Sequence, residues 1–449
     1  MNIQLSDHFT YKKLLRFTLP SIGMMIFSSI YGVVDGFFVS NFAGESEFTA
    51  VNFIMPFLMI LGAIGFMFGA GGSALVAKTL GEGKRDKANS LFSLFVYISF
   101  AIGVVIGALG VFIVSPVASL LGAEGEMLKN CIDYGRIISI GLPFFMLQME
   151  FQSFMITAEK PQLSLIFTVA AGVTNIVLDA LFVAAFDWGL QGAAIATIVS
   201  QFVGCILPLV FFFKRNTSLL RLGKTKMDFG ALVKTCTNGS SELMTNISMS
   251  LVGILYNTQL LKYAGEPGVA AYGVLMYVNF IFISAFIGYS IGCAPVIGYH
   301  YGADNSAELK GLLKKSTVII AISSVIMVGL AIAIATPMSY IFVGYNQSLF
   351  ELTKRAFLFY SFSFLFSGFA IFGSSFFTAL NNGPVSAIIS FLRTLVFQTA
   401  AVIALPLIVE AAGGDGIDGV WLSIVIAEAL AVVVTVIFIF AKRKKYNYL

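Results

Sequence analysis

The sequence predicts an all-α integral membrane protein: about twelve transmembrane helices, arranged as two parallel six-helix repeats that form two lobes around a central cleft. Three observations carry that reading. The 449 residues are 58% hydrophobic and only 11% charged, with mean hydropathy +0.91; a soluble domain carries about 25% charged residues. Apolar windows of about 20 residues, the length a helix needs to cross a bilayer, recur along the whole chain. Short motifs in the first half return in the second at a spacing of 221 residues, as when Ala43-Gly44-Glu45 returns as Ala264-Gly265-Glu266. An outer-membrane barrel would show alternating ten-residue segments instead. The 43 glycines suit close helix packing in lipid.

The first window, 14–41, follows Lys12 and Lys13 and is apolar almost throughout, with Pro20 near one end and Asp35 near the other. A carboxylate inside hydrocarbon is costly, so it usually faces a cavity or partner and marks an ion path. The plain alternative is an aspartate reaching back to the interface, which lies about 9 Å away along the helix. Asp has a shorter reach than Lys, which favours the first reading. The polar start MNIQLSDHFTYKK leads into this window without a small-residue cleavage site, so no signal peptide is expected. The remaining windows are 50–77, 90–114, 129–157, 162–186, 190–213, 236–261, 270–298, 314–336, 352–380, 385–409 and 418–441. They divide into an N-terminal lobe over 1–213, a basic linker over 214–235 and a C-terminal lobe over 236–449.

An even number of spans puts both ends on one side. With the N-terminus in the cytoplasm, 21 of the 27 Lys and Arg lie on the cytoplasmic side. Five lie outside (Lys129, Arg136, Lys262, Lys354 and Arg355), and Arg393 lies within a window. The positive-inside rule therefore places both termini in the cytoplasm and the chain in the cell membrane. The net charge of +4 is a topology signal and implies no nucleic-acid partner.

The repeat continues beyond its first motif. Gly71 and Gly81 return as Gly292 and Gly302, and Thr157-Ala158 returns as Thr378-Ala379. Further on the spacing drifts: Pro161 matches Pro384, and GLQG at 189–192 matches GIDG at 416–419. Parallel repeats of this kind imply a pseudo-two-fold axis along the membrane normal and are typical of alternating-access transporters.

Polar residues inside the windows carry the chemistry. Asp179 follows Asn175 by one turn, on one helix face. Thr197 lies in the next window. Asp35, Asp179 and Thr197 each sit six or seven residues from an outer end, all about 10 Å deep. Two carboxylates at one depth resist carrying two charges in low dielectric, so such a pair can hold and release a proton. With the amide and hydroxyl oxygens it could also ligate Na⁺. Independent helix–helix hydrogen bonding is the structural alternative. The repeat puts Tyr256, Gln398, Val402 and Ile424 at the four matching positions, so ion coupling is expected in the N-terminal half alone.

Glu150 lies between Gln148 and Gln152, and Glu428 lies well inside the last window. These four and Tyr256 form a possible substrate cavity that would attract a cation; either acid could equally be a paired structural carboxylate. Arg393 would neutralise an acid that the sequence does not identify. Glu242, at the start of the seventh window, reads as a solvated end, and His300 as a helix cap at the membrane surface. Most of the 45 Phe and 16 Met face lipid or core, and a minority could line a cavity adaptably.

Other chemistries find little support. The four cysteines are scattered without a CxxC, and His8 and His300 cannot build a histidine metal site. No metal is expected beyond a possible Na⁺, and no cofactor. GEGKRDK at 81–87 lacks the GxxxxGK[ST] spacing of a nucleotide loop. No reactive constellation near either interface points to an enzyme. Energy must come from an ion gradient or a partner.

At this point the chain resembles the MATE (multidrug and toxic compound extrusion) family over essentially its whole length. The resemblance rests on the two parallel six-span repeats, the LP…VD of Pro20 and Asp35, the AGE motif, the ten-residue glycine spacing before GKRDKA, and NIVLD in the fifth window. It implies an antiporter that expels organic, often cationic compounds in exchange for inward H⁺ or Na⁺. Asp35, Asn175, Asp179 and Thr197 match the coupling set of the bacterial and archaeal branch with a first-helix Asp. Pro20 matches the proline at which that helix is proposed to bend. The branch that couples through an acid midway along the seventh helix is not matched, since that region reads TNISMSLVG. The expected partners are small-molecule substrates and the lipid bilayer, with the protein a monomer. The second function considered is a lipid-linked oligosaccharide flippase of the same wider superfamily. Such proteins often carry a strongly basic cavity, and Arg393 alone is thin support for one.

Overall fold

The computed structural model describes residues 3–448, apart from the side chain of Glu45; these residues form helices with short connections and no strand. The first six helices are α1 (Tyr11–Ala43), α2 (Glu45–Gly81), α3 (Arg85–Leu120), α4 (Gly125–Thr157), α5 (Pro161–Ala185) and α6 (Gly189–Phe213). The next helical stretch, Phe229–Gly302, holds 74 residues. At 1.5 Å per residue it would run about 110 Å, far more than one bilayer crossing. Gly265 breaks it with φ 64° and ψ −157°, leaving α7 over 229–264 and α8 over 266–302. The remaining helices are α9 (Ser306–Val343), the bent pair Gln347–Ser361 and Phe364–Ala379, taken together as α10, then α11 (Gly383–Ala411) and α12 (Gly416–Tyr446).

Ten stretches are long and apolar enough to span a membrane, and the pair bent by 48° makes eleven. Counting the stretch broken at Gly265 as two spans gives twelve. The repeated AGE motif has a backbone cause. Gly44 (φ 129°) and Gly265 (φ 64°) both take positive φ, where a Cβ is strained, and each turns the chain from the first helix of its half into the second.

Two expectations shift. α7 begins at Phe229, with the Asp228 side chain capping it by accepting from Ala231 N at 2.9 Å. The connection between halves is therefore 214–228 rather than 214–235. Polar helix ends project past the hydrocarbon, and a hydropathy window does not see them. The tenth span is not one straight helix but two segments meeting at 361–364.

The halves meet at the end that carries both termini, and glycines make the meeting possible. A Cβ on Gly302 would lie 2.0 Å from Lys78 O, and one on Gly81 would lie 2.0 Å from Tyr299 O. These are one contact seen twice, since Tyr299 and Gly302 are the repeat mates of Lys78 and Gly81. Likewise Gly71 abuts Gly239 while its mate Gly292 abuts Thr18, the mate of Gly239. The seam is thus self-complementary about a pseudo-two-fold axis, the way a symmetric dimer interface is built. Further along, the Ser29 and Ser284 hydroxyls bond across it.

The N-terminal segment straps this end. Leu5 and Phe9 are fully buried. Leu5 N donates to Glu159 Oε1 at 2.6 Å in the first half. Phe9 N donates to Glu308 Oε1 at 2.9 Å in the second half, and His8 Nδ1 lies 2.6 Å from Glu308 Oε2.

Candidate functional site

α5 presents a buried stripe of Ser164, Thr168, Ala171, Gly172, Asn175 and Asp179. The spacing of three, four and seven keeps these on one helix face. α1 lies against that stripe and brings Asp35 to its C-terminal end, where Asp35 faces Asp179, Asn175 and, from α6, Thr197. The structure therefore gathers the four residues singled out in the sequence. Asp179 is fully buried and Asn175 nearly so. Asp35 Oδ1, both Asp179 carboxyl oxygens and both polar atoms of the Asn175 amide are buried with no described group outside this cluster to satisfy them, so they have only one another and Thr197 within reach. Such atoms ordinarily find a full set of hydrogen-bonding partners, because desolvation without compensation costs about 1–3 kcal/mol each. Oxygens held in this way suit a proton shared between two carboxyls. They also suit a hard cation, which takes oxygen ligands.

Two residues near the site were missed in the sequence. Tyr134, from α4, is buried within electrostatic reach of both carboxyls, and Tyr31 lies within reach of Asp35 and bonds Gln148. Tyr31 lies one turn before Asp35, a spacing that could have marked it. Nothing in the sequence distinguishes Tyr134 from the other tyrosines.

The backbone is unusual at the same place. One turn after Asp35, at Val39–Ala43, and directly after Asp179, at Ala180–Ala185, the helix widens to π geometry. A third π turn, Leu392–Val396, contains Arg393. Such turns are rare and occur frequently at functional sites. α1 runs unbroken across Pro20, whose missing N–H removes one rung of its hydrogen-bond ladder.

The second half holds no equivalent set. Tyr256, opposite Asp35 in the repeat, bonds Ser423 Oγ at 2.7 Å and stacks on Tyr272, with ring centroids 5.4 Å apart. Val402 is fully buried and Ile424 nearly so.

The five residues assigned to one possible cavity are not gathered around one space. Glu150 is fully buried beside Ser99 and near Cys205 inside the first half. Gln148 and Gln152 line a narrow cavity of that half with Ser164 and Thr168. Tyr256 is bonded as described. Glu428 is held by Arg393, whose Nε donates to its two oxygens at 3.0 and 2.9 Å. The unidentified acid is thus Glu428. Glu242 is not a solvated helix end: it lies 13 residues into α7, about 20 Å along the helix, and is largely buried where it feels Arg393. His300 caps nothing; it is buried under the N-terminal segment, 6.4 Å from the Phe9 ring. No group of three or more His, Cys, Asp or Glu among the described residues could hold a metal ion.

Relatives and solved structures share this architecture. The multidrug export protein MepA of Staphylococcus saprophyticus is 25% identical over 97% of this chain and 94% of its own length. MepA of Staphylococcus aureus is 24% identical over the same shares of both chains. A solved structure described as the outward-facing conformation of a multidrug resistance MATE family transporter of the MOP superfamily superposes with TM-score 0.92. It is 22% identical and covers 100% of this chain and 99% of that one. These relatives and neighbours are transporters, not enzymes. The model of the MatE family matches residues 20–181 and 243–402, the corresponding five spans of each half. The chain is a multi-pass membrane protein that belongs to the MatE family of transporters.

Proposed function

We propose that this protein exports organic, often cationic compounds across the cell membrane in exchange for inward H⁺ or Na⁺. The two lobes, 1–213 and 229–449, would alternate access to a substrate held between them, with the protein acting as a monomer and the ion as its only cofactor. The observation that carries this reading is that Asp35 faces Asp179 at a buried level of the first lobe, while the matching positions of the second lobe hold Tyr256, Gln398, Val402 and Ile424 and no acid. Two facing carboxyls favour a proton as the ion, because both cannot be charged together without a counter-ion. Antiport needs only that ion and substrate prefer different conformations. The flippase reading is weaker, because the one intramembrane arginine is already occupied by Glu428.

The bias of Lys and Arg supports a cytoplasmic location for both termini and the 214–228 connection. Residue 224 should be labelled from inside and residue 265 from outside. The function is tested by drug accumulation in efflux-deficient cells. Cells carrying the wild-type protein should accumulate less cationic dye, and cells carrying Asp35→Asn should accumulate as much as cells without it. Equal accumulation with the wild-type protein and without it, across a broad dye panel, would refute the export reading.

A further inference from the structure

The carboxyl pair stands above a narrow interior cavity of the first lobe, on the side toward the end that carries the termini. Below it, polar groups follow one another through the interior of the first lobe. Asn175 lies one turn below Asp179 on α5. The next position on that face is Gly172, where a Cβ would meet the Phe27 ring at 2.5 Å and the Tyr31 ring at 2.9 Å, so these two rings of α1 together fill the place of a side chain. Tyr31 faces both Asp35 and Gln148 of α4. Gln148 has room because α6 offers Gly204 there: a Cβ would lie 2.7 Å from Gln148 Cδ. Gln148 then lines the narrow cavity together with Gln152, Thr168 and Ser164. Ser164 Oγ donates to Gln152 O at 3.3 Å and lies one turn from Lys160, where α5 begins.

Two features say that this file is more than helix packing. Gln148 and Gln152 are each more than nine-tenths buried, and Gln148 Oε1 and Gln152 Nε2 have no hydrogen-bonding partner. The cavity is lined by Phe151, Met155, Phe167 and Pro208 as well as by these polar groups, and buried amides with such space beside them are where solvent is ordinarily held. The file also draws on four helices, α1, α4, α5 and α6, each with its polar or small residue at the matching height. From Ser164 to Asp179 it covers 15 residues of α5, about 22 Å.

We propose that this file is the path by which the coupling proton leaves the Asp35–Asp179 pair for the terminus-bearing side, inside the first lobe and apart from the substrate cleft. The proposal rests on the reading that this pair is the ion site. In the step itself, the O–H bond of the protonated carboxyl breaks and its electron pair stays on the carboxyl oxygen. The proton passes to solvent held between the polar groups and emerges near Ser164 as hydronium. The titratable groups facing the pair are Tyr31 of α1 and Tyr134 of α4. Tyr31, one turn before Asp35 and bonded to Gln148, is the gate between pair and cavity.

The test uses the full chain in liposomes, with Gln152→Leu and Thr168→Val blocking the cavity and Thr168→Ser as the conservative control. Proton-driven uptake of a fluorescent cation should fall at least fivefold in both blocking variants, with KM unchanged. Its solvent deuterium isotope effect should grow, and Thr168→Ser should restore the rate. Equilibrium binding of the same cation should keep its wild-type pH dependence in all three, because the pair is intact. Wild-type turnover in both blocking variants, alongside a flattened pH dependence in Asp35→Asn, overturns the path and leaves the ion site standing. Loss of pH-dependent binding in the blocking variants also overturns it, since the residues would then support the pair rather than drain it. Wild-type pH dependence in Asp35→Asn removes the ion site, and the path with it.

Discussion

Arg393 holds Glu428 from the neighbouring helix through a single Nε–H shared between both carboxyl oxygens, with both side chains largely buried. Taking two charges out of water costs several kcal/mol per ion, and only their mutual contact offsets it. Removing one partner leaves the other uncompensated. Arg393→Ala should therefore destabilise the protein by about 3–5 kcal/mol. The double variant Arg393→Met with Glu428→Leu should recover most of that. Thermal unfolding in detergent reads the order of the three proteins. An Arg393→Ala protein as stable as wild type would mean that the pair is solvated and unimportant to folding.

The seam between the halves yields a second expectation. Gly302 and Gly81 leave no space for a Cβ, since the facing atoms are backbone carbonyl oxygens that cannot rotate away. Gly302→Ala must push α8 from α2, and overpacking of this kind costs about 1–3 kcal/mol. The same displacement should bias the molecule away from the closed seam. Spin labels on the terminus-bearing ends of α2 and α8 should report longer distances in Gly302→Ala than in wild type. Gly329→Ala, in α9 and with open space around it, should leave them unchanged.

These features differ in how plainly the sequence announced them. Gly44 and Gly265 were legible because positive φ all but demands glycine, so a backbone requirement became a repeated letter. Asp35 and Asp179 were legible because acids inside apolar windows are rare. Arg393 and Glu428 stood out singly, but their pairing depends on the register of α11 against α12, which no local pattern encodes. Glu242 was misplaced because α7 begins a full two turns before its apolar window, on a polar extension capped by Asp228. The break in α10 falls at Phe362 and Ser363, where neither proline nor glycine marks it.

The N-terminal strap joins Glu159 of one half to Glu308 of the other. Glu308→Ala strands the Phe9 N–H in a buried setting, a loss worth about 1–3 kcal/mol. Limited proteolysis should cut that variant within residues 3–10 faster than wild type. Burial pushes the Glu159 carboxyl above the usual glutamate range, while the Leu5 N–H opposes the shift. Asp7, Lys160 and Arg85 also act on it. A raised carboxyl contributes stability that is full below the unfolded value, near 4.3, and is lost as pH rises through the folded one. Strap protection should weaken over that interval in wild type and change less in Glu159→Gln. Identical pH profiles would exclude Glu159 as the titrating anchor.

The asymmetry between the halves gives the most direct test of coupling. Helices repeat, so architecture alone does not decide which half binds the ion. Side chains do: Asp35, Asn175, Asp179 and Thr197 stand where the other half has Tyr256, Gln398, Val402 and Ile424. A carboxyl that gains a proton at this level loses a desolvated charge and no longer needs the polar groups around it. α1 can then relax, and Pro20 is its weak point because a rung of the ladder is already missing. If that relaxation releases substrate, proton and substrate exclude each other with a coupling of about 1–3 kcal/mol, or roughly 5- to 150-fold in affinity. Equilibrium binding of a cationic dye should therefore weaken as pH falls in wild type. Asp35→Asn keeps the size of the side chain and removes its charge, so its binding should barely depend on pH, and Asp179→Asn should behave nearly the same. Glu428→Gln should lose stability through Arg393 yet keep the wild-type pH slope. The opposite pattern, a wild-type slope in Asp35→Asn and a flat one in Glu428→Gln, would place coupling in the second half.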